Sequence, residues 1–462
     1  MDKKLPPAFA KAFKDADIRG VTFIELDDDL AYAVARAFVE EFNHEALVVG
    51  HDMRVSSPSL VEAFMAGVRD SGADVIDVGL VPSPVLYFAS GTMNLPGVMI
   101  TASHSPAEYN GLKLVQPGAV PLTKETGLTA ILKRVKKGDF KNVKRSGKRK
   151  VKDVRKAYQN YVLKGVNKKN LEGIKIAADV GNGMASILMP LLSEKLPIKF
   201  TTLFADLDGR FPNRGSDPTI RKHQKALVKE LKANKYDFGI AFDGDSDRIA
   251  FLDEKGEYVN CAIIGALIAE KMLESHPKSG MVFTNLTSRV YEDSIKAAGG
   301  KAIRARVGHA YLKRKIKDTG ALFGCEHSGH FFFKDFFNTD SVVLTLRYVL
   351  EVYVEAKKKG LTFSELVKPY KKYQQLEDVV IEVDNKVKAL SRVETYMKNN
   401  FKESKIKKFD GLYLTSADVW GAVKPSVTEH ALKVMFEGFK KADATKVQEE
   451  LVSYIKSIAK AS

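Results

Sequence analysis

Short apolar runs, each closed by a polar turn and followed by helical spacing, recur along most of the chain. Residues 46–50 (Ala-Leu-Val-Val-Gly) lead to Asp52 and then to Ser57-Pro58. A serine N-cap with proline at the first helical position predicts a helix start there. Residues 174–178 (Ile-Lys-Ile-Ala-Ala) lead through the turn 179–183 to an apolar helix near 187–196. Residues 281–284 (Met-Val-Phe-Thr) lead to Asn285 and a helix near 290–298. Two further apolar runs, 97–100 and 238–242, end in polar loops. Runs this short, bounded by turn formers, read as buried strands, and strands alternating with helices predict α/β units with parallel or mixed sheets.

After about residue 368 the pattern changes. Residues 379–383, 411–414 and 431–436 read as strands, and the carboxyl end reads as helix, which predicts a smaller α+β domain. Trp420, the only tryptophan, lies in an alternating stretch that predicts a half-buried strand and a packing role. At 462 residues the chain exceeds what one core holds, roughly 250–300 residues. We therefore expect three related α/β domains, 1–150, 151–256 and 257–367, and a fourth domain, 368–462.

Composition narrows the function classes. Hydrophobic content of 45% and charged content of 28% fit an ordinary globular protein. Two cysteines, Cys261 and Cys325, imply no disulfide framework and fit a reducing compartment. The start of the chain lacks the apolar core of a signal peptide, and no apolar run has the ~18–20 residues of a membrane helix. A cytoplasmic protein without a membrane partner is expected. The net charge of +16 is densest from Lys133 to Lys150, which reads as a solvated connector between domains. No zinc-ligand set, RNP-like strand or basic zipper accompanies it, so no nucleic-acid partner is expected.

Chemistry gathers at the ends of the predicted strands, where open α/β sheets place their ligands. The run 97–100 ends in Thr101-Ala102-Ser103-His104-Ser105-Pro106, which sets a serine beside a histidine. The run 238–242 ends in Asp243-Gly244-Asp245-Ser246-Asp247-Arg248. Three carboxylates at alternate positions repel one another unless a cation sits among them, and hard oxygen donors suit Mg²⁺. Gly324-Cys325-Glu326-His327-Ser328-Gly329-His330 offers a carboxylate, a hydroxyl and imidazoles for sugar hydroxyls and proton movement. Lys424-Pro425-Ser426-Val427-Thr428-Glu429-His430 offers a cation, hydroxyls and turn backbone suited to a phosphate dianion. Each loop alone also reads as a plain polar turn.

Together these four loops resemble the signature loops of the α-D-phosphohexomutases, the phosphomannomutase/phosphoglucomutase group. Asp17-Ile18-Arg19-Gly20, Tyr109-Asn110-Gly111-Leu112-Lys113 and Val307-Gly308-His309 fit the same family in the same order, so the resemblance spans nearly the whole chain. It implies the four-domain layout around a central cleft. It also implies reversible phosphoryl transfer between C1 and C6 of mannose or glucose phosphate, through a phosphoserine and a hexose 1,6-bisphosphate that also serves as activator.

Carried over, Ser103 is the nucleophile, and Ser103, Asp243, Asp245 and Asp247 hold Mg²⁺. Lys113 and His330 are the acid/base candidates, Arg19 holds phosphoryl oxygens and His104 supports the serine loop. Arg248, His309, Glu326 and Ser328 contact the sugar, and Lys424, Ser426, Val427 and Thr428 grip the phosphate that is not reacting. The chain is expected to be a monomer or homodimer.

The chain departs from the family pattern at several places. Ala16 stands where an aromatic is usual, Ser105 replaces asparagine, and Ser246 replaces glycine. Lys424 and His430 replace the arginine and proline that bound the fourth loop, and lysine lacks the bidentate fork. Phosphoglucosamine mutase is the alternative within the family, although Glu326-His327-Ser328 looks closer to the phosphomannomutase/phosphoglucomutase members. A metal-dependent sugar phosphatase would leave the serine and phosphate loops idle, and a non-catalytic sugar-phosphate sensor would not need the serine with three aspartates.

Overall fold

The computed structural model describes residues 5, 6, 8–426 and 430–459. The chain forms two compact units, Met1–Asn260 with Ser328–Leu366, and Cys261–His327 with Val367–Ser462.

The first unit opens with a mixed sheet of β1 (Ile18–Val21), β2 (Ala46–His51), β3 (Asp74–Leu80), β4 (Gly97–Ile100), β5 (Tyr109–Gln116), β6 (Val120–Pro121) and β7 (Arg149–Val151). Its order is β1-β5-β4-β2-β3-β7, with β6 on β5. Strands β4, β2, β3 and β7 run parallel, whereas β5 is antiparallel to both β4 and β1. Strand β4 is buried at every position because the sheet is covered on both faces. Leu47, Val49, Val98 and Ile100 share one core with Leu30, Val34 and Phe38 of helix Asp28–Phe42 and with Leu60 and Phe64 of helix Ser57–Asp70.

A second mixed sheet contains β8 (Lys175–Asp179), β9 (Lys199–Leu203), β10 (Phe238–Phe242), β11 (Ile249–Asp253) and β12 (Tyr258–Val259), in the order β12-β11-β10-β8-β9. Strands β10 and β11 are antiparallel, so residues 243–248 form the tight connection at their shared end.

The second unit contains parallel strands β13 (Gly280–Thr284), β14 (Lys301–Ala305) and β15 (Phe323–Cys325), with β13 in the middle. The hairpin β16 (Phe331–Phe333) and β17 (Thr339–Asp340) belongs to the first unit and leads into helix Val342–Lys358. The last sheet is antiparallel: β18 (Gln374–Gln375), β19 (Val379–Glu382), β20 (Lys405–Lys408), β21 (Leu412–Thr415), β22 (Val419–Pro425) and β23 (Ala431–Gly438). Strands β18 and β19 both pair with β23, and β22, β21 and β20 follow on its other side. Helices Lys386–Asn400 and Lys441–Ala459 cover it through Val393, Met397, Leu451 and Ile455. Three α/β layers and a final α+β layer therefore match the expected fold class.

Three local expectations are corrected. Ser57 lies inside its helix, not at the cap; Ser56 precedes the helix, and the Ser57 hydroxyl donates to Asp52 Oδ1 at 2.6 Å. The strand carrying Trp420 is buried from Val419 to Lys424, because one face meets the helices and the other meets Leu286 and Tyr413 of the same unit. The basic run is only partly a connector. Residues Thr129–Lys137 form an amphipathic helix with Ile131 and Val135 in the core, and β7 adds an exposed edge strand to β3. No helix among the described residues is long and apolar enough to cross a membrane.

Candidate functional site

Ser103 follows β4 by three residues and is 2% exposed. Its φ of 52° is left-handed, a conformation a residue with a Cβ keeps only where its surroundings hold it. The Ser103 N–H donates to Thr101 Oγ1 at 3.0 Å, and Thr101 Oγ1 donates to Asp52 Oδ2 at 2.6 Å. The Ser103 hydroxyl then lies 2.9 Å from Asp243 Oδ2 and 3.5 Å from Asp247 Oδ1, with His104 Nδ1 at 3.4 Å.

The acidic loop is tied to the rest of the first unit at each carboxylate. Asp243 Oδ1 closes the turn by accepting the N–H groups of Asp247 and Arg248, both at 3.1 Å. Asp245 Oδ2 accepts from Ser83 Oγ at 2.6 Å and Lys113 Nζ at 2.7 Å, and Asp247 Oδ2 accepts from Lys113 Nζ at 2.6 Å. One ligand atom from each of the three aspartates lies within 4.8 Å of the others, and all three residues are buried.

The electrostatics follow from burial and crowding. Burial, then Asp247 and Asp245, pushes the Asp243 carboxyl well above the ordinary carboxylate range. Burial and Asp247 also push Asp245 upward, but Lys113 outweighs them and leaves it below that range. Burial works against the charge on Lys113, yet Asp245 and Asp247 hold its ammonium well above the usual lysine range. Asp245 Oδ1 is buried without a hydrogen-bond partner among the described residues. Three hard oxygen donors, one of them unsatisfied, exceed the charge of a single lysine. This donor set fits a small divalent cation such as Mg²⁺.

Arg19, Arg248 and His330 stand around this cluster. Arg19 on β1 pairs with Asp17 and donates to Ser105 Oγ at 3.2 Å, while its buried Nε has no partner among the described residues. Arg248 Nε donates to His330 Nε2 at 3.0 Å. Arginine only donates, so Nε2 accepts and the proton of the neutral ring sits on Nδ1. His330 Nδ1 lies 3.7 Å from Asp247 Oδ1 and 3.8 Å from Asp340 Oδ2. Burial, with Arg248 and Arg19, pushes the His104 ring well below the usual histidine range, so it is neutral at pH 7. Ser328 is half-buried and precedes Gly329, whose carbonyl accepts the Ile249 N–H at 3.1 Å.

The remaining candidates form a group within the second unit. Glu326 Oε1 accepts the Gly308 N–H at 2.9 Å, and His309 opens helix His309–Thr319 directly after Gly308, whose φ is 122°. Lys424, 2% exposed near the end of β22, places Nζ 2.9 Å from Asp410 Oδ2, which also accepts the Val307 N–H at 2.8 Å. Burial presses the Lys424 ammonium down, against Asp410, which favours it. Ser426 is buried, and its carbonyl accepts Lys386 Nζ at 2.9 Å. Val427 and Thr428 lie outside the described residues.

Sequence reasoning missed Ser83, Asp340 and Asp410; of the residues that brace the Ser103 cluster, only Asp52, noted at the end of a predicted strand, had a positional signal. The others are ordinary polar residues in sequence, brought in by pairings that reach 162 residues in the case of Ser83 and Asp245.

The chain is similar to known proteins along most of its length. Profiles described as "Phosphoglucomutase/phosphomannomutase, alpha/beta/alpha" domains I, II and III match residues 10–142, 156–256 and 261–373. A protein of Xanthomonas campestris pv. campestris (strain B100) described as "Phosphohexose mutases" is 33% identical over 83% of this chain and 85% of its own. A "Phosphomannomutase/phosphoglucomutase" of Pseudomonas syringae pv. tomato is 31% identical over 97% of this chain and 95% of its own. The crystal structure of a phosphoglucomutase/phosphomannomutase family protein from Burkholderia thailandensis superposes with a TM-score of 0.88 at 29% identity, covering 96% of this chain and 98% of that one.

Proposed function

The chain belongs to the phosphoglucomutase/phosphomannomutase family, and from that premise we propose that it moves a phosphoryl group between C1 and C6 of mannose or glucose phosphate. The observation that carries this reading is the buried Ser103 hydroxyl, 2.9 Å from Asp243 in a cluster of three aspartates and a charged lysine. In the working enzyme Ser103 carries a phosphate. The free hydroxyl of the sugar phosphate attacks that phosphorus, the serine Oγ–P bond breaks, and the sugar becomes a 1,6-bisphosphate. The bisphosphate then returns its other phosphoryl group to Ser103, restoring the enzyme and releasing the isomer. Added hexose 1,6-bisphosphate activates by rephosphorylating any Ser103 that has lost its phosphate.

The side chains supply positioning and charge, which dominate phosphoryl transfer. Arg19 offers its unsatisfied Nε to phosphoryl oxygens. Lys113 holds a proton at Nζ, and His330 holds one at Nδ1 beside Asp247. Lys113 can therefore donate its proton to an oxygen on which charge develops, and His330 can take up the proton of the reacting hydroxyl only at Nε2, in place of its contact with Arg248. Mg²⁺, which Asp243, Asp245 and Asp247 would hold together with the Ser103 phosphate, supplies positive charge that neutralises phosphoryl oxygens when bound. His104 supports the serine loop, and Arg248, His309, Glu326 and Ser328 contact the sugar. Lys424, Ser426, Val427 and Thr428 hold the phosphate that is not reacting. Cys261 and Cys325 are both free and buried, which suits a reducing compartment such as the cytoplasm.

A coupled assay tests the reading with glucose 1-phosphate, mannose 1-phosphate and glucosamine 1-phosphate, each with and without a trace of the 1,6-bisphosphate. Conversion of the glucose or mannose compound to the 6-phosphate, faster with bisphosphate, is expected. Preference for glucosamine 1-phosphate would move the chain to the phosphoglucosamine branch. Release of inorganic phosphate without isomerisation would overturn the proposal.

A further inference from the structure

The backbone carbonyl of Ser103 is held from two sides by residues with no assigned part in the reaction. Arg54 Nη2 donates to it at 2.9 Å, and Ser216 Oγ donates to it at 3.0 Å. Their partners lie 49 and 113 residues away in the chain.

Arg54 is 1% exposed and uses its planar fork on one stretch of backbone. Nη2 also donates to Ser105 O at 2.7 Å, and Nη1 donates to Pro106 O at 2.7 Å and Tyr109 O at 2.9 Å. Asp52, 3.3 Å from Nε, balances the charge. A buried guanidinium is costly unless it is paired and hydrogen-bonded; here four carbonyls between residues 103 and 109 accept from Nη1 and Nη2, while Nε faces Asp52 without a hydrogen bond among the described residues.

Ser216 does something different. Its hydroxyl donates to Ser103 O and accepts the Gly244 N–H at 3.1 Å, so one atom bridges the nucleophile loop and the acidic loop. The two backbones approach closely here. A Cβ on Gly244 would fall 2.7 Å from Ser103 O and 2.8 Å from Ser216 Oγ.

We infer that Arg54 and Ser216 are positioning residues that lock Ser103 at its left-handed φ and so fix its Oγ against Asp243. The inference rests on the reading of Ser103 as the nucleophile. Removing either brace frees the serine loop to relax toward an ordinary φ, which turns Oγ away from the acids. Displacement of a reacting atom by about 1 Å can cost on the order of 100-fold in rate. Both side chains are buried, Arg54 at 1% and Ser216 at 4% exposure, and spend their donors on the serine loop, so binding should survive.

The test compares Ser216→Ala and Arg54→Lys with wild type on glucose 1-phosphate with added glucose 1,6-bisphosphate. It reads kcat and KM separately, and follows phosphorylation of Ser103 by the bisphosphate using rapid quench and mass mapping. Ser216→Ala should lower kcat by about 10- to 100-fold, leave KM within about threefold, and slow Ser103 phosphorylation in proportion. Arg54→Lys should fall further, because one ammonium cannot fork to four carbonyls. Should Arg54→Lys fail to fold, Ser216→Ala alone decides. A wild-type kcat in Ser216→Ala, with only a lower melting temperature, would reduce the brace to a stability element and overturn the inference. A wild-type protein that isomerises without phosphate on Ser103 would instead remove the nucleophile reading beneath it.

Discussion

The group around Ser103 in the first unit and the group around Lys424 in the second, to which we assign reaction and recognition, differ in what holds each side chain. Around Ser103, Thr101, Asp52, Arg54, Ser83, Lys113 and Ser216 bind one another or the two loops at 2.6–3.3 Å, and Asp245 Oδ1 and Arg19 Nε are left without a partner among the described residues. Around Lys424, Asp410 neutralises the lysine and takes the Val307 N–H, and Glu326 takes the Gly308 N–H. Transfer of a phosphoryl group depends on reacting atoms held within tenths of an ångström, whereas gripping a remote phosphate depends on charge and tolerates adjustment. Substitutions in the first group should therefore strike kcat, and those in the second should appear mainly in kcat/KM.

The largest effect should come from the acids. Asp245→Asn removes the charge that Lys113 and Ser83 share, and kcat should fall by about 10²–10³, or ~2.7–4 kcal/mol. Steady-state kinetics would break the comparison if Asp410→Asn in the second unit lowered kcat as far. Lys424→Ala comes next, with an expected cost of about 1.5–3 kcal/mol in kcat/KM. An unchanged value would place the phosphate grip elsewhere. Lys424→Arg sharpens the point, since its fork can serve Asp410 and a phosphate together and should retain kcat/KM.

Much of this contrast was legible in the sequence, and the reason is geometric. Ser103 and the three aspartates sit in short loops directly after apolar runs, so strand ends and loop chemistry are read from the same few residues. The strands 97–100 and 238–242 came out at their observed bounds for the same reason. Arg54 and Ser216 were not legible, because an arginine in a turn and a serine in a loop acquire meaning only when the chain brings them to Ser103 O. Trp420 was misread because alternation reports one buried face, and both faces of β22 are covered. The basic run was misread because charge counting overlooked Ile131 and Val135, which turn part of it into a packed helix.

A smaller effect tests whether the second unit holds together independently of the chemistry. Trp420 Nε1 donates to Glu437 Oε2 at 2.6 Å, and Glu437 also accepts from Arg289 N at 2.9 Å and from the Ser288 hydroxyl. Trp420→Phe leaves that buried carboxylate one donor short, which should cost about 1–2 kcal/mol of stability in a denaturant melt while kcat stays near wild type. A large fall in kcat would blur the division between the two groups.

The smallest effect lies outside both groups. Burial lowers the His44 ring from 6.5 to about 4, where it packs edge-on to Phe38 and stacks on Phe42. The unfolded chain therefore binds more protons between those values, so stability is intact above pH 6.5 and declines as pH falls toward 4. His44→Phe should lose less melting temperature than wild type between about pH 7 and pH 5. Equal losses in the two proteins would show that other groups carry the acid sensitivity.

The central claim is that the transferred phosphoryl group passes through Ser103. The direct measurement incubates the enzyme with glucose 1,6-bisphosphate, quenches it within one turnover and maps phosphate by peptide mass, with Ser103→Ala in parallel. The account predicts one phosphate on Ser103, its loss when glucose 1-phosphate is added, and nearly complete loss of turnover in Ser103→Ala. Phosphate on another residue, or full mutase activity in Ser103→Ala, would contradict it.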